Sequence, residues 1–208
     1  MMNRRSFLIG APLALAACGA TPKWDSSEFI QSVAYRDPGP AYMTLFTMKN
    51  VDTDNGAHTG LMINASQRVI FDAAGTFGHE SIPERNDVHY GINPQVAEFY
   101  ISYHARATYY LLIQKKIVPD EVAEQAKQLV EQNGAVPKAF CTNHTSRAIA
   151  KLPGFETVRT SFFPDTLARQ FGALPGVETS TYRENDSPDK EVAQAAYDRL
   201  VSQGTIRR

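Results

Sequence analysis

The spacing of apolar and polar positions divides the chain into a strand-rich first half and a helix-rich second half. Tyr42–Met48 is a β-rich run that follows the turn residues Asp37-Pro38-Gly39-Pro40. A turn-rich patch at Asp52–Gly56 leads into His58-Thr59-Gly60-Leu61-Met62-Ile63. After the polar loop Asn64–Gln67 comes Arg68-Val69-Ile70-Phe71-Asp72. Two such runs across so short a loop predict a hairpin, here centred on Ala65. Residues 73–93 read as a long loop, partly ordered over the site. Asn93-Pro94 has the cap-then-proline character of a helix start, with Val96, Phe99, Tyr100 and Tyr103 at helical spacing. Thr108–Gln114 predicts a buried strand. Pro119-Asp120-Glu121 opens a helix with Val122, Ala126, Leu129 and Val130 on one face, closed by Asn133-Gly134. The next helix begins at Cys141, presents Thr145, Ala148, Ile149 and Leu152, and stops at Pro153-Gly154. Pro164–Phe171 is a further short helix. Ser187-Pro188 starts a last amphipathic one through Val192, Ala195, Ala196 and Leu200. The expected class is α+β: a small antiparallel sheet packed against helices.

The first residues carry a different signal. Arg4 and Arg5 precede an uncharged, mostly apolar run from Phe7 to Ala17. That is signal-peptide length, and short of the about 20 residues a spanning helix needs. Leu15-Ala16-Ala17-Cys18-Gly19 resembles the lipobox of bacterial lipoproteins. The resemblance implies removal of residues 1–17, a diacylglyceryl group on the Cys18 thiol, and a further acyl chain such as palmitate on the freed amine. Several chains together give stable membrane attachment. Arg4-Arg5-Ser6-Phe7-Leu8 also resembles a twin-arginine signal, departing from it at Asn3 and Ile9, and so implies export in the folded state. The expected plan is a signal peptide over 1–17, a lipidated tether over 18–27, and one domain over 28–208. The expected location is the bacterial cell envelope, facing the periplasm from the inner or the outer membrane.

Removing residues 1–17 leaves 191 of 208 residues, enough for one core. It also takes away two arginines and no acid, which moves the formal charge from −1 to −3. A near-neutral chain without a clustered basic face excludes nucleic acid as a partner. The two cysteines are the informative count. With Cys18 consumed by lipid, Cys141 has no partner in a compartment that permits disulfides. Such a thiol is either buried and inert or kept for its reactivity.

Acyl transfer by a thiol requires a thiolate, a base to hold its proton, and donors for the oxyanion. Cys141 opens a helix, where free N–H groups and the positive end of the dipole lower a thiol pKa and also face a developing oxyanion. His58 opens a strand, and a hairpin centred on Ala65 sets Asp72 opposite it, placed to orient the imidazole. A one-residue slip would send Asp72 to the other face, with His79 in the following loop as the alternative third member. His89, His104 and His144 read as loop or helix-surface residues. His79-Glu80 begins like a zinc-protease motif, but Pro83 stands where the second histidine belongs, so no metal is expected. No phosphate-loop glycine spacing is present, and no cofactor is expected.

The order of these residues resembles the circularly permuted branch of the NlpC-type papain-like superfamily, which includes lecithin–retinol acyltransferase-like proteins. The resemblance covers roughly residues 55–155. It rests on His58-Thr-Gly-Leu-Met-Ile, Val69-Ile-Phe-Asp72 and Phe140-Cys-Thr-Asn-His144. The family often has Asn before its cysteine, where Phe140 stands, and often His as its third residue, where Asp72 stands. The resemblance implies a papain-like domain with histidine ahead of cysteine, and a thiol hydrolase cleaving an amide or ester. Peptidoglycan stem peptides and lipid acyl groups are the substrates in view. The alternative is a non-catalytic envelope lipoprotein that uses the same fold for binding.

Overall fold

The structure, a computed structural model, describes residues 20 and 22–204. The signal-peptide reading of residues 1–17 and the lipidation reading of Cys18 lie outside the described residues. In chain order the elements are α1 (Ser27–Ser32), β1 (Tyr42–Asn50), β2 (Gly56–Asn64), β3 (Arg68–Phe71), β4 (Glu84–Arg85), β5 (Val88–His89), α2 (Pro94–His104), β6 (Tyr109–Ile117), α3 (Asp120–Glu131), α4 (Cys141–Ile149), α5 (Pro164–Gly172), β7 (Val177–Tyr182) and α6 (Glu191–Ser202). The strands form one antiparallel sheet in the order β4-β5-β3-β2-β1-β6-β7. The α+β class is therefore observed, as a seven-stranded antiparallel sheet with six helices among the described residues.

The sheet is larger than expected and is covered on both faces. Side chains alternate across a strand, so each central strand feeds two cores. Met43, Leu45, Leu61, Ile63, Val69 and Phe71 pack with the buried faces of α3, α4 and α5. Tyr42, Phe46, Met48, Met62 and Ile70 pack with those of α2 and α6. Burial on both sides explains why β1 and β2 read as near-continuous apolar runs rather than alternating ones.

Helix starts follow the expected chemistry. The Asn93 side chain accepts a hydrogen bond from the Val96 N–H at 2.9 Å and Pro94 takes the first helical position, a cap that contributes about 1 kcal/mol. The hairpin differs from expectation in register. Leu61 pairs Phe71 and Asn64 pairs Arg68, so it is centred on Ser66, and Asp72 follows the position opposite Leu61 rather than facing His58. Moving the centre by one residue shifts each partner by two. That preserves side-chain parity and keeps Asp72 on the His58 face.

The segment 73–93 is not a plain loop. Asn86 and Asp87, both with positive φ (46° and 69°), make the two-residue turn that joins β4 to β5. The tether is also docked at its end. Trp24 bridges Arg85, and Asp25 exchanges hydrogen bonds with Glu84.

Candidate functional site

Four pieces of chain meet at one end of β2. That strand supplies His58 and Thr59, the residue after β3 is Asp72, α2 brings Tyr100 and His104, and α4 begins with Cys141 and Thr142. The local structure fixes Asp72 firmly. Its N–H donates to the Asp87 carbonyl at 2.9 Å, and its own carbonyl accepts from the Gly75 N–H at 2.8 Å, closing a turn through Ala74 at φ 55°. A Cβ at Gly75 would collide with the Asp72 carboxylate, and a Cβ at Gly60 would collide with the Tyr100 hydroxyl. Both glycines are there for close approach, independently of their backbone angles.

The carboxylate is 1% exposed and is organised around one oxygen. His58 Nε2–H donates to Asp72 Oδ1 at 2.8 Å, and the Tyr100 hydroxyl donates to the same oxygen at 2.9 Å. Asp72 Oδ2 is buried without a hydrogen-bond partner among the described residues. The other side of the assembly is tied by hydroxyls: Thr59 and Thr142 share a buried hydrogen bond of 3.0 Å, and the Cys141 Sγ lies 3.7 Å from Thr142 Oγ1.

The charges are strongly coupled. Burial opposes the His58 imidazolium, but the Asp72 carboxylate outweighs it through charge and hydrogen bonding. The Cys141 thiolate adds to both effects, so the His58 pKa is raised well above 6.5. Burial likewise opposes the Asp72 carboxylate, yet His58 holds its pKa well below the ordinary value. Burial pushes the Cys141 thiol up, and hydrogen bonding and charge from His58, then Thr142 and the Thr59 backbone, bring it below 9.0. Both shifts favour a thiolate–imidazolium pair over a buried carboxylate more than the free side chains would.

The three residues singled out from the sequence, Cys141, His58 and Asp72, are brought together. His79 is not part of this group: its ring is held by Ser81 (2.7 Å) and by Asp198 on α6 (2.9 Å). Two of the remaining histidines contradict the surface expectation. His89 is 2% exposed and His104 is 6% exposed. His104 Nδ1–H donates to the Tyr100 carbonyl at 2.9 Å, its ring stacks on His58 at 6.0 Å, and its Nε2 sits 4.0 Å from Asp72 Oδ1. Burial lowers its pKa to about 4, keeping it neutral beside the charged His58. Sequence reasoning missed Tyr100 and His104 as site residues. The available signal was a polar pair at i, i+4 on the apolar face of α2.

His58, Asp72 and His104 place their ligand atoms within 4.8 Å of one another, which is also a spacing that suits a divalent ion. Because Oδ1 of Asp72 already accepts from His58 and Tyr100, an ion here would have to break the His58–Asp72 bond. Next to Cys141 in the chain, Phe140 meets Phe162 edge-on at 5.3 Å, and both are exposed. No helix among the described residues is long and apolar enough to cross a membrane.

The class defined so far is an α+β domain whose sheet and two helical layers converge on a cysteine–histidine–aspartate cluster. Comparison with protein-family models, with curated proteins and with solved structures gives no match.

Proposed function

We propose that this protein is a thiol-dependent acyl hydrolase of the permuted papain-like type, held at an envelope membrane by lipid on Cys18. The observation that carries the reading is the chain Asp72–His58–Cys141. A buried carboxylate fixes the imidazole, and the imidazole in turn lowers the thiol pKa. The thiolate Sγ attacks a carbonyl carbon, and the carbonyl electron pair moves onto oxygen. The first N–H groups of α4 have no side-chain cap, so they are available to the oxyanion. As the tetrahedral intermediate collapses, the proton on His58 passes to the leaving amine or alkoxide, which leaves a thioester on Cys141. His58 then takes a proton from water, whose oxygen attacks the thioester. The acid is released and the proton returns to the site. Asp72 keeps the ring oriented and stabilises its charged form throughout. The exposed Phe140–Phe162 pair favours an apolar group near the scissile bond.

The test is hydrolysis of purified peptidoglycan and of phospholipid by the full chain and its variants. Cys141→Ser and His58→Ala should each abolish product, and the double variant should be no worse than either alone. Asp72→Asn should retain a measurable remainder, since an amide oxygen still accepts from the imidazole, with a loss on the order of 10⁴ at most. His79→Ala should retain full activity. Undiminished turnover by Cys141→Ser would overturn the reading.

A further inference from the structure

Beside the His58 imidazole, on the side of its ring that faces α2 and the start of α6, lies a cavity of about 250 Å³. Its polar groups are few and are differently disposed. Lys190 reaches in, held by Thr76 Oγ1 at 3.1 Å and by the face of the Tyr103 ring at 4.6 Å. No carboxylate lies within salt-bridge distance of its ammonium among the described residues. A lysine partly withdrawn from water without a counter-ion is a cation waiting for one. The Thr76 oxygen accepts from Lys190, while the Tyr103 hydroxyl gives its one hydrogen to the Thr76 carbonyl at 2.7 Å, so the Thr76 hydrogen can turn either to the Tyr103 oxygen or into the same space.

His104 lines the cavity with the opposite character. Its Nδ1–H is committed to the Tyr100 carbonyl, so Nε2 presents a lone pair, and that atom has no hydrogen-bond partner among the described residues. Asp72 Oδ1 stands 4.0 Å from it and is itself an acceptor. An unpartnered acceptor and an unneutralised cation lining one cavity call for a ligand with a donor and an anion a few bonds apart. Met48, Ala57 and Ala74 supply the apolar wall between them.

We propose that this cavity is a substrate subsite for a carboxylated amide, such as the acidic residue of a peptide. The carboxylate pairs with Lys190 and Thr76, and an amide N–H donates to His104 Nε2. The proposal rests on the hydrolase reading of the same site and narrows its substrate from acyl compounds in general to acidic peptides. A lipid phosphate fits less well. Phosphate sites gather arginines and several donors around three oxygens, whereas here a single lysine and one hydroxyl match one monoanion, and the His104 lone pair would face a phosphate oxygen.

The test uses the full chain in detergent with its histidines labelled for NMR, since it has only five. N-acetylglutamate, its neutral diamide and glycerol 3-phosphate are titrated in separate series. N-acetylglutamate should shift the His58 and His104 signals saturably while leaving His79, His89 and His144 in place as reporters of an intact fold. The diamide should bind at least about tenfold more weakly, as expected for loss of one charge-assisted pair. Lys190→Gln should bring N-acetylglutamate down to the affinity of the diamide, and Lys190→Arg should largely restore it. Equal affinity for acid and diamide, or no effect of Lys190→Gln, would overturn the subsite. Tighter binding of glycerol 3-phosphate would overturn it in favour of a lipid headgroup. Alkylation of Cys141 by iodoacetamide is read in parallel and reports on the thiolate alone. A sluggish thiol would sink the hydrolase reading, while the titrations decide the subsite by themselves.

Discussion

At the residue scale, the reactivity of Cys141 is a contest between burial and one neighbour. Burial alone raises a thiol pKa, and His58 reverses the sign because a charge close by in a low-dielectric setting outweighs the lost hydration. The thiolate of the wild-type protein should therefore form below the ordinary thiol value of 9.0. Alkylation by iodoacetamide as a function of pH should show its half-point there. In His58→Ala the largest lowering cause is gone and only the Thr142 and Thr59 contacts still oppose burial, so the half-point should move up. An unmoved half-point would mean that the imidazole does not act on the thiol. None of this depends on knowing the substrate.

At the scale of elements, the contact between β2 and α2 is set by what is absent from β2. Gly60 has no side chain, and the Tyr100 hydroxyl occupies the space on its way to Asp72. Gly60→Ala should cost about 1–3 kcal/mol by overpacking, because Tyr100 is fully buried and cannot move aside. Tyr100→Phe removes the colliding oxygen but also a donor to a buried carboxylate, at a comparable cost. The double variant should be clearly more stable than the sum of the two losses. Urea unfolding of all four proteins measures this, and simple additivity would contradict the close approach.

The last turn of α2 should also govern acid sensitivity. His104 has a folded pKa of about 4 against an ordinary 6.5, so between those values the unfolded chain holds the proton and the folded one does not. The stability tied to His104 is thus fully present above pH 6.5 and is lost as pH falls towards 4, by roughly 3 kcal/mol in total. Asp87 acts in the opposite sense. Its carboxyl is raised to about 6 by burial, so it gains stability over much of the same range. The useful measurement is therefore the difference between wild type and His104→Asn, whose amide can still donate to the Tyr100 carbonyl. That difference should shrink steadily as pH drops from 6.5 to 4, whereas a constant difference would show that His104 is not held neutral.

At the scale of the whole molecule, the site is assembled from three layers. The sheet gives His58 and Asp72, the layer of α3, α4 and α5 gives Cys141, and the layer of α2 and α6 gives Tyr100, His104 and the Lys190 approach. A domain so built keeps its chemistry at a fixed place. If Cys18 carries the lipid, Cys18→Ala should leave a protein that is unprocessed or released, because no other residue can accept the diacylglyceryl group. Detergent partitioning of the variant measures this. Wild-type partitioning after signal removal would refute the lipobox reading.

The amino-acid sequence by itself determined what depends on near neighbours. The Asn93-Pro94 cap, the acidic start of α3 and the proline start of α5 are local steric and hydrogen-bonding choices, and each lies where the spacing indicates. The same holds for the place of Cys141 at the start of α4, since a helix terminus is a local event. By contrast, α4 ends at Ile149, ahead of Pro153-Gly154, and α6 starts at Glu191, beyond Ser187-Pro188. What the sequence left undecided are features that exist only between elements. β7 (Val177–Tyr182) lies at the sheet edge with mostly exposed side chains, so it has little apolar signature and is a strand only because β6 pairs with it. The turn through Asn86 and Asp87 carried a readable signal, yet its effect, holding the Asp72 backbone, is tertiary. The hairpin register was off by one in its centre, and Asp72 still met His58 because parity was kept and Gly60 and Gly75 opened room for it. His104 looked like one more polar residue near a helix end. Only the packing of α2 against the sheet and α6 buried it, stacked it on His58 and turned its lone pair into a cavity, because burial and ring contact are set by residues that the chain brings from far away.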